Sequence, residues 1–249
     1  MIAGIWFSFV GDAACLGESV AAFRAAMPGC PVAVFDDGRS PVPASTIAQI
    51  EPELYEQTSW PRMGNLNGWP AVRGILESCE VASARLGVRG TLKLDCDTVL
   101  LSGRWLDQAR PVVGWDCGWI RYAAGMCRYL RADVSARILC GLGQRPLIDH
   151  PVAEDMAISA EASFEYPGEV LLHPRQPGTA DGFRLAGWSY RWSSEGRFGL
   201  AHPAGSHDVV TFGNRAQLDC TGTAARLAVA QAMRRFREGC KAAAWALHD

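Results

Sequence analysis

The first 38 residues alternate in a way that few folds accommodate. Ile2 to Val10 is an uncharged apolar run with a β-branched and aromatic bias, which reads as a buried strand. Gly17 to Met27 carries Val20, Phe23 and Met27 at helical spacing, and Pro28-Gly29 stops it. Pro31 to Phe35 is a second short strand, closed by the turn signal Asp36-Asp37-Gly38. Strand, helix, strand in this order predicts a parallel pair and an α/β chain.

The rest of the chain extends that pattern. Residues 39–65 are rich in Pro, Ser and Gly and show no clear period. A helix is expected from Trp69 to Leu86, where Val72, Ile75, Leu76, Cys79 and Leu86 share a face and Pro70 and Gly87 suit the ends. Thr91 to Leu101 is a third strand region and Pro111 to Trp115 another. Asp133 to Leu139 predicts a short helix, Pro151 to Ala160 a longer one, and Glu169 to His173 a strand. Residues 174–208 are irregular, and Thr223 to Leu247 is a final helix. Without an internal repeat or an obvious linker, residues 1–249 are expected to form one domain.

Composition narrows the functional classes. A hydrophobic share of 49% with 20% charged residues is that of an ordinary globular protein. The formal net charge of -2 gives no reason to expect a nucleic-acid partner. Nine cysteines, an odd number with no Cys-x-x-Cys pair, argue against a zinc ribbon or redox motif and suit a reducing cytosol. No Lys or Arg precedes the short N-terminal apolar run, so a strand is the better reading than a signal peptide. No stretch approaches the roughly 18 apolar residues of a membrane span.

The chemistry concentrates in Lys93-Leu94-Asp95-Cys96-Asp97-Thr98. Positions i and i+2 of an extended chain point to the same side, so Asp95 and Asp97 can face one hard cation such as Mg²⁺ or Mn²⁺. Parallel sheets bind ligands beyond the carboxyl ends of their strands, where this pair is expected.

The order of elements, a strand ending Asp36-Asp37, a long helix and a strand ending Asp95-x-Asp97 resembles the GT-A family of nucleotide-diphospho-sugar glycosyltransferases. The resemblance covers roughly residues 2–215 and is specific only around the Asp-x-Asp. It implies one mixed, mostly parallel sheet flanked by helices. It implies that Asp36 or Asp37 contacts base or ribose, that Asp95 reaches the ribose or metal-bound water, and that Asp97 binds the metal directly.

Two further expectations follow from the resemblance. Inverting members carry a Glu-Asp pair at a helix start beneath the acceptor; here that is Glu154-Asp155, with Asp155 the first choice of general base. Some members complete the metal shell with a C-terminal histidine, and His207 fits better than His202 because an apolar run, Val209 to Phe212, follows it. Trp115, Trp119, Trp188 and Trp192 lie where acceptor sites form, and Arg62, Arg191 and Arg197 could meet diphosphate.

The implied partners are a nucleotide-diphospho-sugar donor and an acceptor that is a glycan, a lipid-linked sugar or a protein. The basic face of the last helix, Arg234, Arg235, Arg237 and Lys241, allows a weak contact with a membrane surface. The rival readings are a nucleotidyltransferase acting on sugar phosphates, a nucleotide-sugar binder without turnover and a haloacid-dehalogenase-type phosphatase. The first usually needs a Gly-rich loop with Arg and Lys after the first strand, which Val10-Gly11-Asp12-Ala13-Ala14 is not. The phosphatase needs a later core lysine, and only Lys241 follows Asp97.

Overall fold

The computed structural model describes residues 1–13, 15–59, 69–96, 98–100, 102–115, 127–143, 154–173, 183–185, 188–190, 200–201 and 207–211. Its centre is a seven-stranded mixed sheet, mostly parallel, with helices on both faces. Strand β1 (Ala3–Ser8) leads through α1 (Leu16–Ala26) to β2 (Val32–Asp37), then through α2 (Ala44–Ile50) to β3 (Leu54–Thr58). Helix α3 (Trp69–Leu86) returns the chain to β4 (Gly90–Leu94), which is followed by β5 (Thr98–Leu100) and β6 (Val112–Trp115). Then come β7 (Cys127–Arg131), α4 (Ala132–Gly143), α5 (Glu154–Glu165) and β8 (Leu171–His173).

The sheet order is β3-β2-β1-β4-β7-β6-β8. β1 pairs in parallel with both β2 and β4, so the chain leaves β1 toward one edge and comes back on its other side. That reversal is a topological switch point, and it lies between β1 and β4. β7 is antiparallel to β4 and β6, and β8 is parallel to β6, so β8 runs in the direction of β4.

Alternation along the strands sorts the side chains into two cores. On one face Trp6, Val32, Val34, Leu92, Leu94 and Tyr129 pack with Leu16, Val20 and Phe23 of α1. On the other, Ile5, Phe7, Phe35 and Leu130 pack with Val72, Ile75 and Leu76 of α3 and with Ile158 of α5. A fully buried side chain of this size contributes about 1.5–3 kcal/mol. The Trp6 indole lies over Gly4, where a Cβ would meet its ring at 2.7 Å, and against Phe23 edge-on at 5.4 Å between centroids. Only glycine fits at position 4.

In and around the seven-stranded sheet the structure adds three elements to the sequence reading, and residues 183–185, 188–190 and 200–201, inside the second segment expected to be irregular, are strands as well. α2 and β3 fall inside the segment expected to be irregular, and β7 has no counterpart in that reading. β7 carries Arg128 at its second position, wholly buried, which breaks the apolar pattern by which strands are recognised. The expected helix Asp133 to Leu139 is longer, Ala132–Gly143, and the one expected over Pro151 to Ala160 is described from Glu154 to Glu165, residues 151–153 lying outside the described residues. β4 and β5 divide the region expected as one strand, with the acidic motif at the break. A smaller sheet joins β5 to β12 (His207–Thr211) and β11 (Leu200–Ala201), and β9 (Phe183–Leu185) pairs with β10 (Trp188–Tyr190). The expected helix Thr223 to Leu247, with its basic face, lies outside the described residues. Among the described residues no helix is long and apolar enough to cross a membrane.

Candidate functional site

Asp95 follows directly on β4 at the switch point. Lys93 pairs in register with Ile5, which puts it on the α3 face, and Asp95 falls on the same side two residues later. The Lys93 Nζ donates to Asp95 Oδ1 at 2.9 Å. The two differ sharply in exposure, with 3% of the Lys93 side chain accessible against 37% for Asp95. A buried ammonium is thus matched to a carboxylate open to solvent, and Asp95 Oδ2 makes no hydrogen bond to a described residue. The rung beside them holds Cys127 opposite Leu94. Burial pushes the Cys127 thiol well up; Asp95 adds to the rise and Lys93 opposes it.

The turn after Asp95 is held from behind. The Thr98 amide donates to the Asp95 carbonyl at 2.9 Å. The buried Ser19 hydroxyl of α1 donates to the Thr98 carbonyl, and accepts from the Trp6 indole N–H at 2.8 Å. Cys96 points its thiol to the Phe7 carbonyl at 3.3 Å. Asp97 itself lies outside the described residues.

Asp36 and Asp37 end β2, one strand from β1 on the same edge. Asp36 is fully buried, and its carboxylate accepts from Ser8 Oγ at 2.8 Å, the Val42 amide at 3.0 Å and the Tyr55 hydroxyl at 3.0 Å. That geometry makes it a tie between β1, β3 and the loop after β2. The same contact adds to the rise of the Tyr55 hydroxyl pKa, whose largest cause is burial. Asp37 is also buried and accepts the Arg39 amide through Oδ1 at 3.0 Å, while Oδ2 makes no hydrogen bond to a described residue.

Glu154 and Asp155 open α5. Because α5 returns through residues 166–170 into β8, its amino end lies at the carboxyl edge of the parallel strands, the edge of Asp95. Ile158 and Ala162 place the helix on the α3 face, which is also the face of Lys93. The side chains of Glu154 and Asp155 are outside the described set.

His207 begins β12. In the ladder Thr211 stands opposite Thr98 and Val209 opposite Leu100. His207 is four positions from Thr211, so its backbone lies about 13 Å along the strand from the Thr98 rung. This spacing separates the expected third ligand from the acidic pair. Among the described residues no group of three His, Cys, Asp or Glu side chains could hold a metal ion. His202, Trp119, Arg62, Arg191 and Arg197 lie outside the described residues.

Two residues at the site were not singled out from sequence. Lys93 had a legible signal, a lone lysine in an apolar strand two residues before Asp95. Ser19 had none, because its partners come from β1 and from beyond β4.

No protein-family model matches the chain, and no curated protein matches it. Solved structures give remote likenesses. An active-site mutant of LgtC aligns at 12% identity over 92% of this chain and 95% of that one, with a TM-score of 0.48. The glycosyltransferase GlyE of Streptococcus pneumoniae TIGR4 aligns at 8% identity over 69% of this chain and 45% of its own, with a TM-score of 0.42. A cytidylyltransferase of Leptospira borgpetersenii aligns at 7% identity over 70% and 76%, with a TM-score of 0.45. At these scores nothing about substrate or residue roles transfers to this chain.

Proposed function

We propose that this chain is a metal-dependent glycosyltransferase that moves a sugar from a nucleotide-diphospho-sugar to an acceptor. The observation that carries the reading is the position of Asp95: half-open, at the carboxyl end of β4, in the crevice between β1 and β4 where the chain reverses direction. Asp97 follows two residues later in the sequence.

The residues present suit Mg²⁺ or Mn²⁺. Such ions commonly take one or two carboxylates, complete their shell with water and substrate phosphates, and need no all-protein cage. Asp95 through Oδ2 and Asp97 supply that number of hard oxygen donors. A cation held by Asp95 and Asp97 would neutralise charge on the departing diphosphate. His207 is given no part in the shell, since the β5–β12 register sets it too far along the ladder.

The chain's own residues divide the remaining work. Ser19 and Trp6 fix the turn that carries the acidic pair. Asp36 holds the ends of β1 and β3 together, so of the two acids closing β2 it is Asp37 that meets base or ribose. At the amino end of α5, Asp155 takes the acceptor proton as general base, with Glu154 the alternative.

A thermal-shift panel of nucleoside diphosphates with and without Mn²⁺ tests the reading. Stabilisation by at least one of them that requires Mn²⁺ is the expected result; none at millimolar ligand overturns it. Release of free sugar from a nucleotide-sugar then separates an enzyme from a binder without turnover.

A further inference from the structure

A lysine inside a parallel sheet costs desolvation and needs a reason. Lys93 is the fourth of five consecutive buried residues of β4, with only 3% of its side chain accessible. Its Nζ meets Asp95 Oδ1 at 2.9 Å, and Asp95 is exposed enough to be solvated without it. Buried ion pairs of this kind are weak stabilisers, so folding alone gives little reason for it.

From this arrangement we propose that Lys93 is a positioning residue that sets both the reach and the charge of the nucleotide-diphosphate site, an inference resting on the glycosyltransferase reading above. By occupying Oδ1 it leaves Asp95 a single oxygen, Oδ2, for metal or ribose. By offsetting the charge of Asp95, it lets a bound divalent cation keep more positive charge toward an incoming diphosphate. Lys93 therefore opposes binding of the cation alone and favours the anionic ligand that follows. A residue that merely held the strand would affect both in the same direction.

The test is calorimetry on the native chain and on Lys93→Met, which keeps length and apolar bulk without the ammonium. The probes are Mn²⁺ alone, then nucleosides and nucleoside diphosphates at saturating Mn²⁺, using a base that the native chain binds. Lys93→Met is expected to bind Mn²⁺ as well as the native chain or severalfold more tightly. It is expected to bind the diphosphate about tenfold more weakly, the scale of one unit charge acting over a few ångströms at a partly screened site. Binding of the uncharged nucleoside should stay within twofold. Equal weakening of Mn²⁺ and diphosphate overturns the proposal, as does an unchanged diphosphate affinity. If circular dichroism shows Lys93→Met unfolded, Lys93→Gln is measured in the same way, and loss of the fold in both variants makes the role structural and overturns it. Failure of the native chain to bind any nucleoside diphosphate with Mn²⁺ counts instead against the proposed function itself.

Discussion

The Ser19 hydroxyl donates to the carbonyl of Thr98, 79 residues away, while the Trp6 indole N–H occupies its oxygen at 2.8 Å. One buried side chain thus joins β1, α1 and the start of β5 just after Asp95. Ser19→Ala should leave the Trp6 N–H and the Thr98 carbonyl without this partner, at a cost of about 1–3 kcal/mol in urea unfolding. It should also weaken Mn²⁺-dependent nucleotide binding, because the turn loses its rear support. Loss of stability with unaltered binding would show that the turn keeps its shape without Ser19.

Asp36→Ala should be the costliest change among the acids at the sheet's carboxyl edge. It strands the Ser8 hydroxyl, the Val42 amide and the Tyr55 hydroxyl together. Losing a buried multi-partner acceptor of this kind costs about 3 kcal/mol or more. Chemical denaturation reads this directly, and a loss below about 1 kcal/mol would return Asp36 to the list of ligand-reading residues.

At the opposite edge, Arg131 Nε and Nη2 hold both oxygens of Asp133, at 2.6 and 2.8 Å. The hydrogen bonds from Arg131 keep the Asp133 carboxyl below its usual range, and Tyr166 lies against the guanidinium at 5.8 Å. A lowered folded value means the pair's contribution is complete above the ordinary carboxylate pKa of about 3.9 and fades as pH falls through the lowered one. Asp133→Asn should therefore reduce stability at pH 6 and flatten its decline below about pH 4. Asp133 is 55% exposed, so the effect should be small and should shrink further in salt. Identical pH profiles of stability would remove the pair from the account.

Glu154 and Asp155 are neighbours on α5 and so lie about 100° apart around its axis. At that spacing only one of the two can serve a single acceptor hydroxyl. Asp155→Asn should lower turnover by about 10² to 10⁴ while nucleotide binding persists, and Glu154→Gln should do less. Steady-state kinetics that reverse this order would move the base to Glu154. Full activity in both would reduce the pair to helix-terminal charge.

The parts of the fold that were legible in the sequence are those whose signal is local. α3 occupies Trp69–Leu86, the span its apolar spacing and flanking Pro70 and Gly87 predict. β1, β2 and β4 declared themselves as apolar runs, and the place of Asp95 beyond β4 followed from them. β7 did not, because its buried Arg128 is tolerated through tertiary surroundings rather than through any pattern in Cys127–Arg131. α2 and β3 are short and sit in a Pro-rich stretch, where α2 ends on a left-handed Glu51 with φ of 47°. Asp36 and Asp37 look alike in sequence, yet strand alternation turns Asp36 toward Ser8 and Tyr55 and leaves Asp37 with its turn. The His207 expectation rested on what followed it in sequence, whereas its distance from the Asp-x-Asp depends on a register that sequence does not carry.

The central claim is that Asp95 and Asp97 hold a divalent cation for a nucleotide diphosphate. The measurement closest to it is calorimetry of a nucleoside diphosphate with Mn²⁺ on the native chain and on Asp97→Asn, with circular dichroism on both. The account predicts Mn²⁺-dependent binding to the native chain that falls by tenfold or more in the variant, on the scale of one lost metal carboxylate, with the fold unchanged. Equal affinity in the two proteins would contradict it.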